Sequence, residues 1–217
     1  MYRLAIFDFD GTLVDSAPGI VDVMRDVCGE YKFSDKTLEL WSHLIGVPLR
    51  RQVEILFPDH SAAFHDEVAQ RYRDIYDSRA IEICPPFDGL EEMLRGLQRA
   101  EILITIASSK RRHLIDLVLE YHALTHYFAL VVGAEEVTKH KPDAESVLLS
   151  MDKLKIPVAE TVVIGDSSFD LDMARNAGVD AIGVTTGIHT REILSKSDPK
   201  HIVSALPEVL PLILNEP

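Results

Sequence analysis

Close to the amino terminus, Asp8-Phe9-Asp10-Gly11-Thr12 sets two carboxylates two residues apart, directly after the apolar run Leu4–Phe7. Where a strand ends, residues i and i+2 share one side, so both acids can serve a single reaction centre. The alternative is a solvated Asp-Gly turn closing a hairpin, but no paired strand follows. An EF-hand register fails too, because it puts Ile6 first and Ala17 last, where calcium needs carboxylates.

A second acidic cluster, Gly165-Asp166-Ser167-Ser168-Phe169-Asp170, follows another apolar run and opens a helix. Asp166 either caps that helix or faces the same centre as Asp8, and Asp172 is read as solvated. Carboxylates at the ends of two buried strands repel one another in a cleft unless a cation holds them, and oxygen-only ligands point to magnesium. Cationic and hydroxyl groups stand at two further positions. Ser108-Ser109-Lys110-Arg111-Arg112 sits at a helix start, where cations oppose the macrodipole and an anion would remove the conflict. Arg111 and Arg112 either meet that anion or bend into solvent. The Ser108 hydroxyl can donate to a phosphate oxygen alongside backbone N–H groups. Lys139-His140-Lys141-Pro142 offers a cation at another helix start, a position where a lone lysine is usually on the surface.

The elements that must carry these groups alternate. Leu4–Phe7, Ile102–Ala107, Ala129–Val132, Thr161–Ile164 and Ala181–Val184, with His201–Val203 as a weaker sixth, are continuous apolar runs of the kind buried on both faces of a parallel sheet. Between them Gly89–Ala100, Arg111–Tyr121, Pro142–Leu154 and Phe169–Ala177 have helical length and pattern. Asp88 is the expected cap of the first of these, Pro142 an expected first helical residue, and Gly178 the expected left-handed residue after the last. The fold class is therefore α/β, a doubly wound parallel sheet with its ligand site beyond the carboxyl ends of the strands. From about Ala17 to Ile83 the alternation breaks into helical patterns (Ile20–Cys28, Leu49–Leu56, Ala62–Tyr76) without a strand. This is expected to be a helical insertion, rejoining the sheet body through the stiff Pro85-Pro86-Phe87-Asp88-Gly89. The division is residues 1–16 and 84–217 for the α/β core and 17–83 for the insertion.

With 217 residues, 47% hydrophobic and 26% charged, the chain can bury a substantial core. Its net charge of −13 argues against nucleic acid or an acidic membrane as partner. Cys28 and Cys84 are too few for a disulfide framework or metal knuckle and read as reduced thiols. With no signal-peptide pattern and no apolar run long enough for a bilayer, a cytoplasmic location is expected.

Acidic pair, hydroxyl, lysine and second acidic pair occur in that order along the chain, each at a strand end or helix start. In this the sequence resembles the haloacid-dehalogenase superfamily of phosphohydrolases, and specifically its phosphoglycolate-phosphatase-like and β-phosphoglucomutase-like members. The resemblance covers essentially the whole chain: Asp8 through Ser16 look like the first motif, Ser108 the second, Lys141-Pro142 the third and Gly165-Asp166 through Asp170 the fourth. It implies that Asp8 attacks phosphorus to form an aspartyl phosphate, with Asp10 as general acid and then base. It further implies magnesium held by Asp8, the backbone carbonyl of Asp10, Asp166 and Asp170, and charge stabilisation by Lys141 and Ser108. Gly11, Thr12, Ser109 and Lys110 are expected at the phosphate or substrate. The insertion would be a mobile cap whose Gly46-Val47-Pro48-Leu49-Arg50 faces substrate, with Arg50 as the contact and Trp41 and His43 as packing. Two departures stand out: Lys141-Pro142-Asp143-Ala144 lacks a common second proline, and Ser167-Ser168 replaces a common threonine. The substrate implied is a small phosphorylated metabolite such as phosphoglycolate. The alternatives are a β-phosphoglucomutase-like phosphotransferase sharing every core motif, or a non-catalytic receiver-like phospho-acceptor, which leaves Asp10 and the insertion unexplained. A dehalogenase would also leave Asp10 without a role.

Overall fold

A computed structural model describes residues 2–214. The apolar runs form six parallel strands, β1 (Leu4–Phe7), β2 (Leu103–Ala107), β3 (Leu130–Val132), β4 (Thr161–Gly165), β5 (Asp180–Val184) and β6 (His201–Val203), in the order β3-β2-β1-β4-β5-β6. The first strand in sequence is thus central: Phe7 is level with Ile106 of β2 on one side and Ile164 of β4 on the other. The chain builds outward from β1 to β3, then returns to lay down β4 to β6 on the opposite side. Winding reverses at β1/β4, which opens a crevice beyond the strands' carboxyl ends. Asp8, Ser108 and Asp166 are the residues that follow β1, β2 and β4, so topology alone brings three of the four motifs to that crevice.

Of the six helices between β1 and β2, the first five fall in the stretch that carries no strand: α1 (Ala17–Tyr31), α2 (Asp35–Ser42), α3 (Leu49–Leu56), α4 (Ala62–Ser78) and α5 (Ala80–Ile83). The remainder, α6 (Leu90–Arg99), α7 (Arg112–Tyr121), α8 (Glu145–Leu154), α9 (Ser168–Ala177), α10 (Arg191–Leu194) and α11 (Val209–Leu214), flank the sheet. Alternation along β1 sorts the two faces. Ala5 and Phe7 join a core with Leu94 and Leu97 of α6, Ile115 of α7 and Ile213 of α11, while Leu4 and Ile6 pack with Val147 of α8 and Leu171 of α9. All four strand residues are fully buried, and such burial stabilises by roughly 1.5–3 kcal/mol for each large side chain.

The inserted helices pack on one another around Met24, Trp41, Val53, Val68 and Ala69. Their two connections to the sheet body run side by side. Val14 pairs antiparallel with Pro86, the Asp15 N–H donates to the Pro85 carbonyl at 2.8 Å, and the Phe87 N–H donates to the Leu13 carbonyl at 3.1 Å. Trp41 is fully buried, as expected of packing, whereas His43 is exposed.

Two helix ends differ from expectation, and a third position left open is decided. Asp88 does not cap α6; the residue before the helix is Gly89, at φ +77°, with the Pro207 ring 2.8 Å from where a Cβ would stand. Pro142 does not open α8. The Glu145 carboxylate instead accepts from the Thr138 and Lys139 N–H groups, folding 138–145 into a loop, and the helix starts at Glu145. Ser167, not Asp166, caps α9. Gly178 does take the left-handed position, at φ +74°.

The loop before α3 is tied to α2 through one buried amide. Gln52 accepts from the Trp41 indole N–H at 2.8 Å and donates to the Val47 carbonyl at 2.6 Å. Gln52→Leu leaves the indole N–H buried and unpaired, a loss of about 1–3 kcal/mol. A fall in Tm of roughly 3–8 °C is expected, read from the fluorescence of the chain's single tryptophan.

Candidate active site

At the β1/β4 crevice, oxygens of Asp8, Asp166 and Asp170 lie within 4.8 Å of one another. Each is held by a different local device. The Asp8 N–H donates to the Ile164 carbonyl at 2.9 Å, continuing the β1–β4 ladder one residue past the strand. Asp166 is gripped from two loops, by the Thr12 hydroxyl at 2.9 Å and the Ile188 N–H at 3.1 Å. Asp170 closes a capping box with Ser167, accepting from its N–H at 3.1 Å and its hydroxyl at 2.6 Å. Lys141 reaches in beneath, its Nζ 2.7 Å from Asp8 and 2.5 Å from Asp170, with only 6% of the side chain exposed.

Three carboxylates against one ammonium leave two negative charges uncompensated. Burial, then the charge of Asp170, pushes the Asp8 carboxyl up to about 7 despite the opposing pull of Lys141. Burial and the charges of Asp170 and Asp8 likewise push Asp166 well above the carboxylate range. Burial works against the charge on Lys141, but Asp170 and Asp8 outweigh it and hold the ammonium above its ordinary range.

The residues fit a hard divalent cation. All donors are oxygens, and Asp8 Oδ1 is buried with no aligned hydrogen-bond partner, even with the ammonium close by. The backbone closes on Asp166 at two glycines: a Cβ at Gly187 would stand 1.8 Å from its Oδ2, and one at Gly11, whose φ is +76°, 2.6 Å.

Asp10 stands apart from the acid cluster. Lys110 Nζ lies 2.8 Å and 3.1 Å from its two oxygens. Both acids face a cavity of about 300 Å³ that also meets Ser108, Ser109, Lys141 and His140. Its far wall comes from the inserted helices and is mostly apolar, with Ile20, Met24, Ile45, Leu49 and Tyr72, plus Arg73, which makes no ion pair among the described residues.

Several expected contacts lie elsewhere. The Gly11 N–H is spent on the Val14 carbonyl at 2.9 Å and the Thr12 hydroxyl on Asp166, so both shape the site rather than offer those donors to a phosphate. Lys110 is committed to Asp10. Arg50 borders the cavity, but its guanidinium is engaged by Glu54 at 2.8 Å and Asp66 at 2.6 Å. Arg111 pairs with Asp77, and Arg112 with Asp116. Asp172 pairs with Arg175, and Lys139 is on the surface. Ser108 is buried at the cavity's edge, and its Oγ accepts from the Lys110 N–H at 3.2 Å. Sequence reading missed the loop after β5: the Thr186 hydroxyl donates to the Gly11 carbonyl at 2.7 Å, and the His189 Nδ1 accepts from the Ser168 N–H at 2.9 Å. Burial lowers the His189 imidazole. Only the Thr-Thr-Gly run after an apolar strand hinted at that loop.

The family model described as haloacid dehalogenase-like hydrolase matches residues 5–184. The chain is 34% identical to a protein of Dickeya dadantii named "Probable phosphatase IndB", over 97% of this chain and 93% of that one. It is 29% identical to a phosphoglycolate phosphatase of Agrobacterium fabrum, over 98% and 93%. Among solved structures, a haloacid dehalogenase-like hydrolase from Bacteroides fragilis superposes with a TM-score of 0.90 at 33% identity, covering 96% of this chain and all of that one.

The raised Asp8 carboxyl has a consequence for stability. In chelator the folded chain retains a proton that the unfolded chain, titrating near 3.8, releases. The stabilisation is therefore present below about pH 4 and is lost as pH rises through about 7. Asp8→Asn removes this dependence, so in EDTA at about pH 7.5 its Tm should exceed the unsubstituted protein's by roughly 5 °C, with the gap closing toward pH 4. A gap that stays constant with pH would contradict the raised carboxyl.

Proposed function

The chain belongs to the haloacid dehalogenase-like hydrolase family and is a phosphatase, and we propose that it cleaves a small phosphate monoester through a phosphoryl group carried on Asp8. The observation that carries this reading is the convergence of Asp8, Lys141, Asp166 and Asp170 at one end of the cavity, with Asp10 beside them.

A carboxylate oxygen of Asp8 attacks phosphorus while the bond to the leaving oxygen breaks, and the Asp10 carboxyl gives that oxygen its proton. Water then attacks the phosphorus of the aspartyl phosphate, Asp10 takes the water's proton, and phosphate departs from a restored Asp8. General acid–base help of this kind contributes typically 10²–10⁴-fold, and division through a covalent intermediate lowers each barrier. Lys141, already between Asp8 and Asp170, meets charge on the transferring phosphoryl, and the Ser108 hydroxyl donates to one of its oxygens. A magnesium ion, held by Asp8, the Asp10 carbonyl and Asp166 with Asp170 direct or through water, would supply the positive charge that lets a carboxylate approach a phosphate dianion.

Residues 17–83 serve as the cap over this site, hinged where Val14 and Pro86 run together. Arg73 on the cap wall suits an anionic leaving group, which agrees with the phosphoglycolate phosphatase among the relatives. Two free, buried cysteines fit the reducing cytoplasm, and among the described residues no helix is long and apolar enough to cross a membrane.

Phosphate release from phosphoglycolate, pyrophosphate, hexose phosphates and 4-nitrophenyl phosphate tests the reading. Release should require magnesium and fall by at least about 10³-fold in Asp8→Asn; turnover that survives the substitution would overturn it. Arg73→Ala should raise KM for phosphoglycolate roughly tenfold more than for the nitrophenyl ester, the scale of one lost charge-assisted contact. An equal rise for both esters would remove Arg73 from leaving-group recognition.

A further inference from the structure

Lys110 is placed unlike a phosphate-binding lysine. Its side chain is 6% exposed, and its Nζ meets both oxygens of Asp10, at 2.8 Å and 3.1 Å, the Tyr76 hydroxyl and, at 3.6 Å, Cys84 Sγ. It also lies over the Tyr76 ring at 4.4 Å and the Phe9 ring at 5.6 Å. The ammonium has three protons to give, and Asp10 and the Tyr76 hydroxyl take its closest contacts, leaving it nothing comparable to offer a phosphate. Burial works against its charge, but Asp10 and Cys84 together more than offset this and hold it protonated.

These partners come from three parts of the chain. Asp10 follows β1, Lys110 follows β2, Tyr76 lies near the end of cap helix α4, and Cys84 is at the second cap connection. The next residue on each side repeats the tie, since Arg111 pairs with Asp77. Consecutive residues of α4 are thus latched to consecutive residues of the loop after β2.

We propose that Lys110 is a positioning residue for Asp10, and that the Tyr76 hydroxyl makes its alignment depend on the cap being seated. This rests on the reading of Asp10 as general acid above. A carboxylate on a short side chain at a turn has free rotation about χ1 and χ2, and a two-point contact to a buried ammonium selects one orientation. With the cap lifted, Lys110 loses the hydroxyl and the ring that fix it, so Asp10 is aligned only over a covered site. Proton transfer from the Asp10 carboxyl, which in its protonated form keeps the Lys110 contact through its other oxygen, to the leaving oxygen is then confined to the closed state, where bulk water is excluded.

The test compares kcat/KM for an alkyl phosphate, whose leaving oxygen needs a proton, with that for 4-nitrophenyl phosphate, whose leaving group departs without one. Lys110→Met should lower the alkyl value about 100-fold and the nitrophenyl value by less than about fivefold. Asp10→Asn should show the same bias, and adding Lys110→Met to it should cost little more, since both remove one function. Tyr76→Phe keeps the ring but removes the hydroxyl; it should show the same bias at about three- to tenfold, and it covers the case in which Lys110→Met does not fold. Equal losses for both esters would make Lys110 a phosphate-binding or structural residue and overturn the proposal. Asp10→Asn without ester bias would instead overturn the general-acid reading on which it stands.

Discussion

Three carboxylates are buried within a few ångströms at the end of a parallel sheet, and most of the surrounding structure exists to make that tolerable. Burial first, and like charges at that distance second, push Asp8 and Asp166 upward toward protonation. A lysine from a distant loop lies between two of them, a threonine and a backbone amide hold the third, and a helix cap occupies the remaining oxygen of Asp170. Gly11, Gly165 and Gly187 let backbone come closer to these carboxylates than any side chain permits. The charge left uncompensated has the sign and size that a divalent cation cancels, so the same crowding would favour binding of such an ion.

The two buried lysines hold the acids in different environments. Lys141 sits with Asp8 and Asp170, where charge on a transferring phosphoryl would develop, while Lys110 sits with Asp10, two residues farther along the chain. Two carboxylates so near in sequence would otherwise share one environment, and the nucleophile and proton donor proposed here would need different ones. The strand's end supplies the separation: Asp8 remains in register with β4 through its N–H, whereas Asp10 has turned toward β2 and the cap.

The sheet was legible because a strand buried on both faces has to be an unbroken apolar run, and even the three-residue β6 could be read from His201–Val203. The insertion was less so. Helix α2 escaped notice because only Trp41 of its eight residues is buried, which leaves no apolar stripe, and α5 is a single turn. Site residues following strands were readable from their position, since topology delivers them to the crevice. Their partners were not. Lys110 at a helix start suggested an anion, but its anion is Asp10, 100 residues away, and no local pattern encodes that pairing. The same holds for Thr12, whose hydroxyl serves Asp166 across 154 residues.

The cap's attachment shows why its ties to the site are polar. Apolar contact between cap and core grows with area and has no direction, so it can hold the two together without fixing how they meet. The Tyr76–Lys110 and Asp77–Arg111 contacts are directional, and they fall on adjacent residues at one end of α4, far from the free end of the insertion and close to the paired connections at Val14 and Pro86. In the proposed cap motion, small rotations about those connections would displace this end least, so its contacts would re-form in the same geometry. A buried ammonium deprived of its partners is also strongly disfavoured, which would favour the seated arrangement in which Lys110 meets Asp10.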